Sequence, residues 1–202
     1  MKTENVVLMK MARESLTGKW GLAIGTFVVY ILIIVGVQVI THYFPIAGLL
    51  SVIIAGPMAV GLATFSLSIS RNQDAKLEQI FQGFNYFGKA LSTYLLMILF
   101  IILWMVLLII PGIIAALSYS MAFYILADDN SIKPMEAIDK SKEMMEGYKW
   151  KYFCLCLRFT GWALLCILTL GIGFLWLMPY MQVSMAKFYD DVKANATITE
   201  TI

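Results

Sequence analysis

"EGYKW", residues 146–150, stands where a charged stretch meets a long apolar one. The same junction occurs twice earlier, as "TGKW" at 17–20 and "QGFNYF" at 82–87. In each case a glycine is followed by an aromatic or aromatic-basic collar and then by an apolar run. Gly18, Gly83 and Gly147 recur at intervals of about 65 residues, which is the mark of an internally repeated unit.

The apolar runs set the solvent. Residues 20–70 and 90–127 contain no Asp, Glu, Lys or Arg, and 152–186 contain only Arg158. A membrane-crossing helix needs about 20 apolar residues, so each block has room for two helices if a turn divides it. Proline and glycine supply the turns: Phe44-Pro45 with Gly48, then Pro111-Gly112, then Gly171-Ile172-Gly173. The predicted spans are 20–41, 46–70, 90–110, 112–127, 152–170 and 173–189. Composition agrees, with 60% hydrophobic and 14% charged residues and a mean hydropathy of +0.80; soluble domains carry about 25% charge. The run from Trp20 is longer than a signal-peptide core and lacks a small-residue cleavage pattern, so it is expected to remain as a span.

Charge predicts the orientation. Lys2, Lys10, Arg13 and Lys19 precede the first span; Arg71, Lys76 and Lys89 lie in the 71–89 connection. Lys133, Lys140, Lys142, Lys149 and Lys151 lie in the 128–151 connection, and Lys187 and Lys193 follow. The three hairpin turns carry no lysine or arginine. Positive residues stay on the cytoplasmic side, which places both termini and both long connections there.

The expected architecture is therefore all-α: a polytopic membrane protein of six transmembrane helices, arranged as three parallel hairpin repeats with cytoplasmic amphipathic helices. It is a single domain, 1–202, with repeats at about 5–70, 74–127 and 134–191 and a flexible cytoplasmic tail at 192–202. Leu77, Ile80, Phe81 and Phe84 follow helical spacing, with Asp74 as N-cap. Pro134 suits a first helical turn, and Met135, Ile138 and Met145 share a face. Gly18, Gly83 and Gly147 are read as hinges, each ending a surface helix in the left-handed conformation before the chain turns into the bilayer. An axis along the membrane normal would relate such repeats.

Polar atoms concentrate in the even-numbered spans: Thr64, Ser66, Ser68 and Ser70, then Ser118, Tyr119, Ser120 and Tyr124, then Tyr180, Gln182 and Ser184. Even spans are expected to face the interior, where these groups either pack helix against helix or line a cavity. Gly56-Pro57, Pro179 and the shortness of spans four and six are the interruptions that mark transporter sites. Arg158 is the one charge deep in a span, and it either snorkels, pairs with Asp128 or Asp129, or meets an anion. The candidate ligand site is Arg158, Ser66, Ser118, Tyr119, Tyr180 and Gln182. The aspartate pairs 128–129 and 190–191 are expected to be solvated.

No catalytic constellation, metal site or cofactor is expected. The single histidine, His42, lies at an outer turn, no carboxylate lies within a span, and no metalloprotease, P-loop or nucleophile-elbow motif occurs. Cys154, Cys156 and Cys166 all lie in one apolar run and read as free thiols. A net charge of +2 gives no case for nucleic acid. Membrane lipids are the expected partners. Two functions stay open: a small transporter, pore or lipid-binding protein with its site among the even helices, or a non-transporting scaffold recruiting a protein partner through its cytoplasmic helices. The oligomeric state is not legible.

The run "LWMVLLIIPGIIAALSYSMAFYILADD", then "EAIDKSKEMMEGYKWKYF" and "LMPYMQVSMAKFYDD", resembles the bacterial and archaeal integral membrane family catalogued as domain of unknown function 975. Pro111-Gly112, Tyr119, Glu136-Ala137-Ile138, Ser141, Gly147, Pro179-Tyr180 and Phe188-Tyr189 carry the resemblance, from about Leu8 to Asp191. It implies a multi-pass protein of a prokaryotic cytoplasmic membrane and no established activity. A looser likeness is to the membrane domain that precedes some glycerophosphodiester phosphodiesterases, whose catalytic portion this chain lacks.

Overall fold

The computed structural model describes residues 3–44 and 48–200. The described residues form helices and connections, with no strand: α1 (Asn5–Leu16), α2 (Trp20–Tyr43), α3 (Gly48–Ser70), a 3-10 helix (Leu77–Tyr86), α4 (Phe87–Leu107), α5 (Ile109–Tyr119), α6 (Ala122–Asp128), α7 (Pro134–Met144), α8 (Lys149–Leu168) and α9 (Phe174–Glu200).

Five helical stretches are long and apolar enough to cross a membrane: Trp20–Tyr43, Gly48–Ser70, Leu77–Leu107, Ile109–Asp128 and Lys149–Leu168. The sequence reading expected six. α9 differs because Lys187, Asp190, Asp191 and Lys193 interrupt it. Its apolar part, Phe174 to Ala186, rises only about 20 Å, against a hydrocarbon core of about 30 Å. α9 also continues as helix to Glu200, through most of the segment expected as a tail.

Inner and outer helices separate by burial. The second and fourth stretches are 67% and 50% buried, while the other three are 22%, 17% and 22% buried. α3 packs on α4, α6, α9 and the 3-10 helix; α9 packs on α1, α2 and α8; α5 and α6 pack on α7 and α4. α3 thus touches the 3-10 helix and α4, α5 touches α7 and α8, and α9 touches α1 and α2. The core around them includes Val60, Leu67, Met121, Leu126, Ala186 and Phe188.

The turns follow the sequence unevenly. Gly18 and Gly147 have φ of +80° and +73°, the left-handed backbone that redirects the chain after α1 and α7. Gly83 has no such φ and lies inside the 3-10 helix, not at its end. Its reason is close approach: a Cβ there would lie 2.0 Å from the Pro57 carbonyl oxygen, and one at Gly61 would lie 1.9 Å from that of Ile80. The reading of Gly83 as a hinge is therefore corrected to a contact glycine, which lets two backbones touch.

Other corrections are local. Helix Leu77–Tyr86 is capped at Lys76, whose N–H donates to the Gln79 side chain, and not by Asp74. Its apolar positions divide without contradicting the expected face: Ile80 is buried in the protein, and Phe81 and Phe84 are exposed. On α7 Met135 is exposed, while Ile138 and Met145 are buried together with Ala137, Ser141 and Met144. The second hairpin turns at Leu108, in extended backbone. Pro111 enters the first turn of α5, where a missing N–H leaves no bond unmade. The third hairpin turns through Leu170 and Gly171, both at positive φ. Pro45, proposed for the first turn, lies outside the described residues.

The fourth stretch is broken at Ser120–Met121, between α5 and α6. A break in a buried helix frees backbone groups that must find partners, and α7 supplies one. The buried Ser141 hydroxyl donates to the Ser118 carbonyl at 2.8 Å and accepts from the Met121 N–H at 3.1 Å. Ser141→Ala should therefore cost about 1–3 kcal/mol, read as a lowered midpoint in a detergent melt. A midpoint unchanged from wild type would show that the break does not need this hydroxyl.

Candidate functional site

A charged assembly joins the ends of α3 and α6 to the middle of α9. Arg71 directly follows α3. Its guanidinium binds Asp128 at the end of α6, at 2.5 Å, and Asp190 of α9, at 2.8 Å. Asp190 also accepts from the Ser70 hydroxyl at 3.0 Å, and Asp128 from the Tyr189 hydroxyl at 3.1 Å and from Lys193. Lys187 donates to the Ser70 carbonyl. Bonding to Asp128 foremost, offset in part by burial, raises the Arg71 pKa above its already high ordinary value. Arg71 is therefore a cation at any usable pH. Beside this cluster, Lys151 and Asp191 pair at 2.7 Å, and Asn5 donates to the Lys151 carbonyl at 2.8 Å.

These contacts overturn the expectation of solvated aspartates. The Asp128 and Asp191 side chains are only 12% and 10% exposed. Carboxylates so far from water need partners, and here cations from neighbouring helices supply them. Asp129 alone stays in solvent, where the Ser131 hydroxyl and N–H hold its pKa below the ordinary carboxylate value.

Inward from the cluster lies an aromatic layer and then a cavity. Tyr189 stacks on Tyr124 with ring centroids 5.7 Å apart. Tyr124 donates to the Gln182 side-chain oxygen at 3.0 Å. Both line a cavity of about 230 Å³, together with Tyr30, Ser120, Tyr152 and Met185. Its polar atoms are hydroxyls and one carboxamide, with no charge among its lining residues. Such a set orients a small polar solute by hydrogen bonds.

Of the expected site residues, Gln182 alone lines this cavity. Ser66 is fully buried, and its hydroxyl has no hydrogen-bond partner among the described residues. Ser118 donates to Ile114 within its own helix. Tyr119 and Ser118 line a separate groove with Lys142 and Lys149. Tyr180 packs edge-on against Phe159 and borders another groove with Arg13. Arg158 is exposed on α8 and pairs with neither Asp128 nor Asp129. Deep position in the span did not mean an inward side chain, because Leu155 and Phe159 occupy the buried face of α8.

The missed residues are Arg71, Asp128, Asp190, Tyr152 and Tyr30. A signal did exist: the apolar part of each of these helices gives way to charge, at 71, at 128–129 and at 187–191. Among the described residues, no three His, Cys, Asp or Glu side chains gather as metal ligands would.

Nothing among curated proteins or solved structures matches this chain. Residues 98–196 do match a family model, described as protein of unknown function (DUF975), and over that stretch the chain is similar to the family.

Proposed function

We propose that the chain is a multi-pass protein of a prokaryotic cytoplasmic membrane, with both termini inside, that binds a small uncharged polar solute in its central cavity and passes it across. In this reading α9 is a sixth, short span, the three hairpins are repeats about a common axis, and the surface helices lie amphipathically in the cytoplasmic interface. The observation that carries it is a run of contacts from cluster to cavity. Tyr124 lines the cavity, Tyr189 stacks on Tyr124, and Tyr189 donates to Asp128 of the Arg71–Asp128–Asp190 cluster. The cluster is then a plug at the cytoplasmic end, and the protein binds and moves its solute without catalysing a reaction.

The test is solute-driven volume change of proteoliposomes, followed by light scattering with glycerol and other small neutral solutes. Tyr124→Phe and Gln182→Leu each remove one hydrogen bond, worth about 0.5–1.5 kcal/mol. Flux of the responsive solute should fall about two- to ten-fold while the protein remains folded. Wild-type flux no faster than that of empty vesicles for every solute would end the carrier reading.

A second reading has its own observation. A groove of about 630 Å³ beside α7 is lined by Glu136, Asp139, Glu143 and Glu146, with Lys140 and Lys193. It favours a scaffold that holds a protein partner at this face. The two readings part at Gln182, where substitution would leave partner capture intact.

A further inference from the structure

A ring of three hairpin units has three seams, and grooves along two of them are built alike. One, bounded by α1, α2, α8 and α9, has a volume of about 370 Å³ and is lined by Arg13, Trp20, Trp162, Gly173, Trp176 and Tyr180 among others. The other, bounded by α4, α5, α7 and the start of α8, has about 200 Å³ and includes Trp104, Ser118, Tyr119, Lys142 and Lys149. The positions correspond. Arg13 and Lys142 each lie five residues before a glycine at positive φ, Gly18 and Gly147. Trp20 and Lys149 each lie two residues after it. Tyr180 and Tyr119 each lie seven residues after a glycine near the start of an inner helix, Gly173 and Gly112.

At the third seam α3 meets the 3-10 helix backbone to backbone at Gly61 and Gly83. The residue five before Gly83 is Glu78, where the other two seams have Arg13 and Lys142.

Arg158 does not itself line the first groove, but its place on α8 puts it beside it. It precedes Trp162 by one turn and Cys166 by two, and both of those line the groove; residues at that spacing share a helix face. Arg13 and Arg158 are both exposed, and neither is paired with a carboxylate among the described residues. No acid lines either groove. An unpaired arginine over an apolar wall asks for an anion that brings its own hydrocarbon.

We infer that the two open seams bind anionic phospholipid, the phosphate held by Arg13 and Arg158 in one and by Lys142 and Lys149 in the other, with an acyl chain along the tryptophan-lined wall. A lipid fits better than a free anion because the first groove opens on apolar surface. Trp162, Leu165 and Trp176 are 55%, 55% and 51% exposed. This site is separate from the central cavity and does not depend on the carrier reading.

Tryptophan quenching by acyl-brominated lipid tests it. Trp104→Phe with Trp150→Phe leaves Trp20, Trp162 and Trp176 to report the first groove. In mixed vesicles, brominated phosphatidylglycerol should compete for contact about thirty-fold better than brominated phosphatidylcholine, at about 1 kcal/mol for each of the two arginines near an anionic lipid. Arg13→Gln and, separately, Arg158→Gln should each bring that preference down to about five-fold. Lys133→Gln removes the same charge outside both grooves and should leave it unchanged. The inference fails if the two lipids quench equally, or if Lys133→Gln acts as strongly as Arg13→Gln. It also fails if inorganic phosphate abolishes the preference, which would make the ligand a soluble anion.

Discussion

Gly61→Ala is expected to be the most disruptive single methyl in the chain. The new Cβ would lie 1.9 Å from the Ile80 carbonyl oxygen and 2.4 Å from its carbon. These are backbone atoms of a buried crossing, so no flexible side chain can move aside. Overpacking a core costs about 1–3 kcal/mol when side chains can adjust; here the helices themselves must separate, and about 3 kcal/mol or more is expected. Gly25→Ala and Gly36→Ala meet nothing within 4 Å, and as helical alanines they should leave stability unchanged or raise it by up to about 1 kcal/mol. Thermal melts of the three variants in detergent decide it. A Gly61→Ala midpoint equal to those of the two controls would mean that α3 and the 3-10 helix do not touch as described.

Arg71→Ala should have the second-largest effect and change access as well as stability. It removes the cation shared by Asp128 and Asp190, whose side chains are 12% and 28% exposed, and leaves Asp128 with Lys193 and Tyr189 and Asp190 with Ser70. Breaking a fully buried pair costs about 3–5 kcal/mol and an exposed one about 0–1 kcal/mol. Because Arg71 keeps 30% exposure, about 2 kcal/mol is the reasonable figure. Adding Asp128→Asn and Asp190→Asn to Arg71→Gln removes the stranded charges and should recover most of that loss. Access is read by placing a thiol at Ser120→Cys in a background with Cys154, Cys156 and Cys166 replaced. If the cluster plugs the cavity, a membrane-impermeant thiol reagent should label this position about ten-fold faster in the Arg71→Ala protein, a factor equivalent to about 1.4 kcal/mol. Equal labelling rates would remove the cluster's role as a plug and leave it a structural tie between helix ends.

The repeat junctions show how far local sequence reaches. Gly18 and Gly147 end short polar helices, and a positive φ is a requirement of the chain's own next few residues. Gly83 stands at the same spacing before the same kind of aromatic collar, yet its reason lies at Pro57 on another helix. Nothing within the motif distinguishes a glycine that turns from a glycine that touches. Arg158 shows the same limit. Its depth in an apolar run is legible, but which way its helix faces depends on Leu155 and Phe159 finding the core. Ser141 supplies a third case, since its two bonds close a break in a helix whose sequence gives no proline or glycine at the break.

Apolar run lengths and the burial of the second and fourth apolar stretches were determined by the sequence alone. They follow from the cost of putting charge or unpaired backbone in hydrocarbon, and each residue meets that cost wherever its neighbours lie. Tertiary structure decided the rest: that Asp128, Asp190 and Arg71 converge, that the second hairpin turns at Leu108, and that Tyr124, Tyr152 and Gln182 share a cavity. Those residues come from different helices, and their pairing depends on helix rotation and crossing. A hydrophobic pattern constrains rotation only to within a broad face, which is too coarse to place one side chain against another.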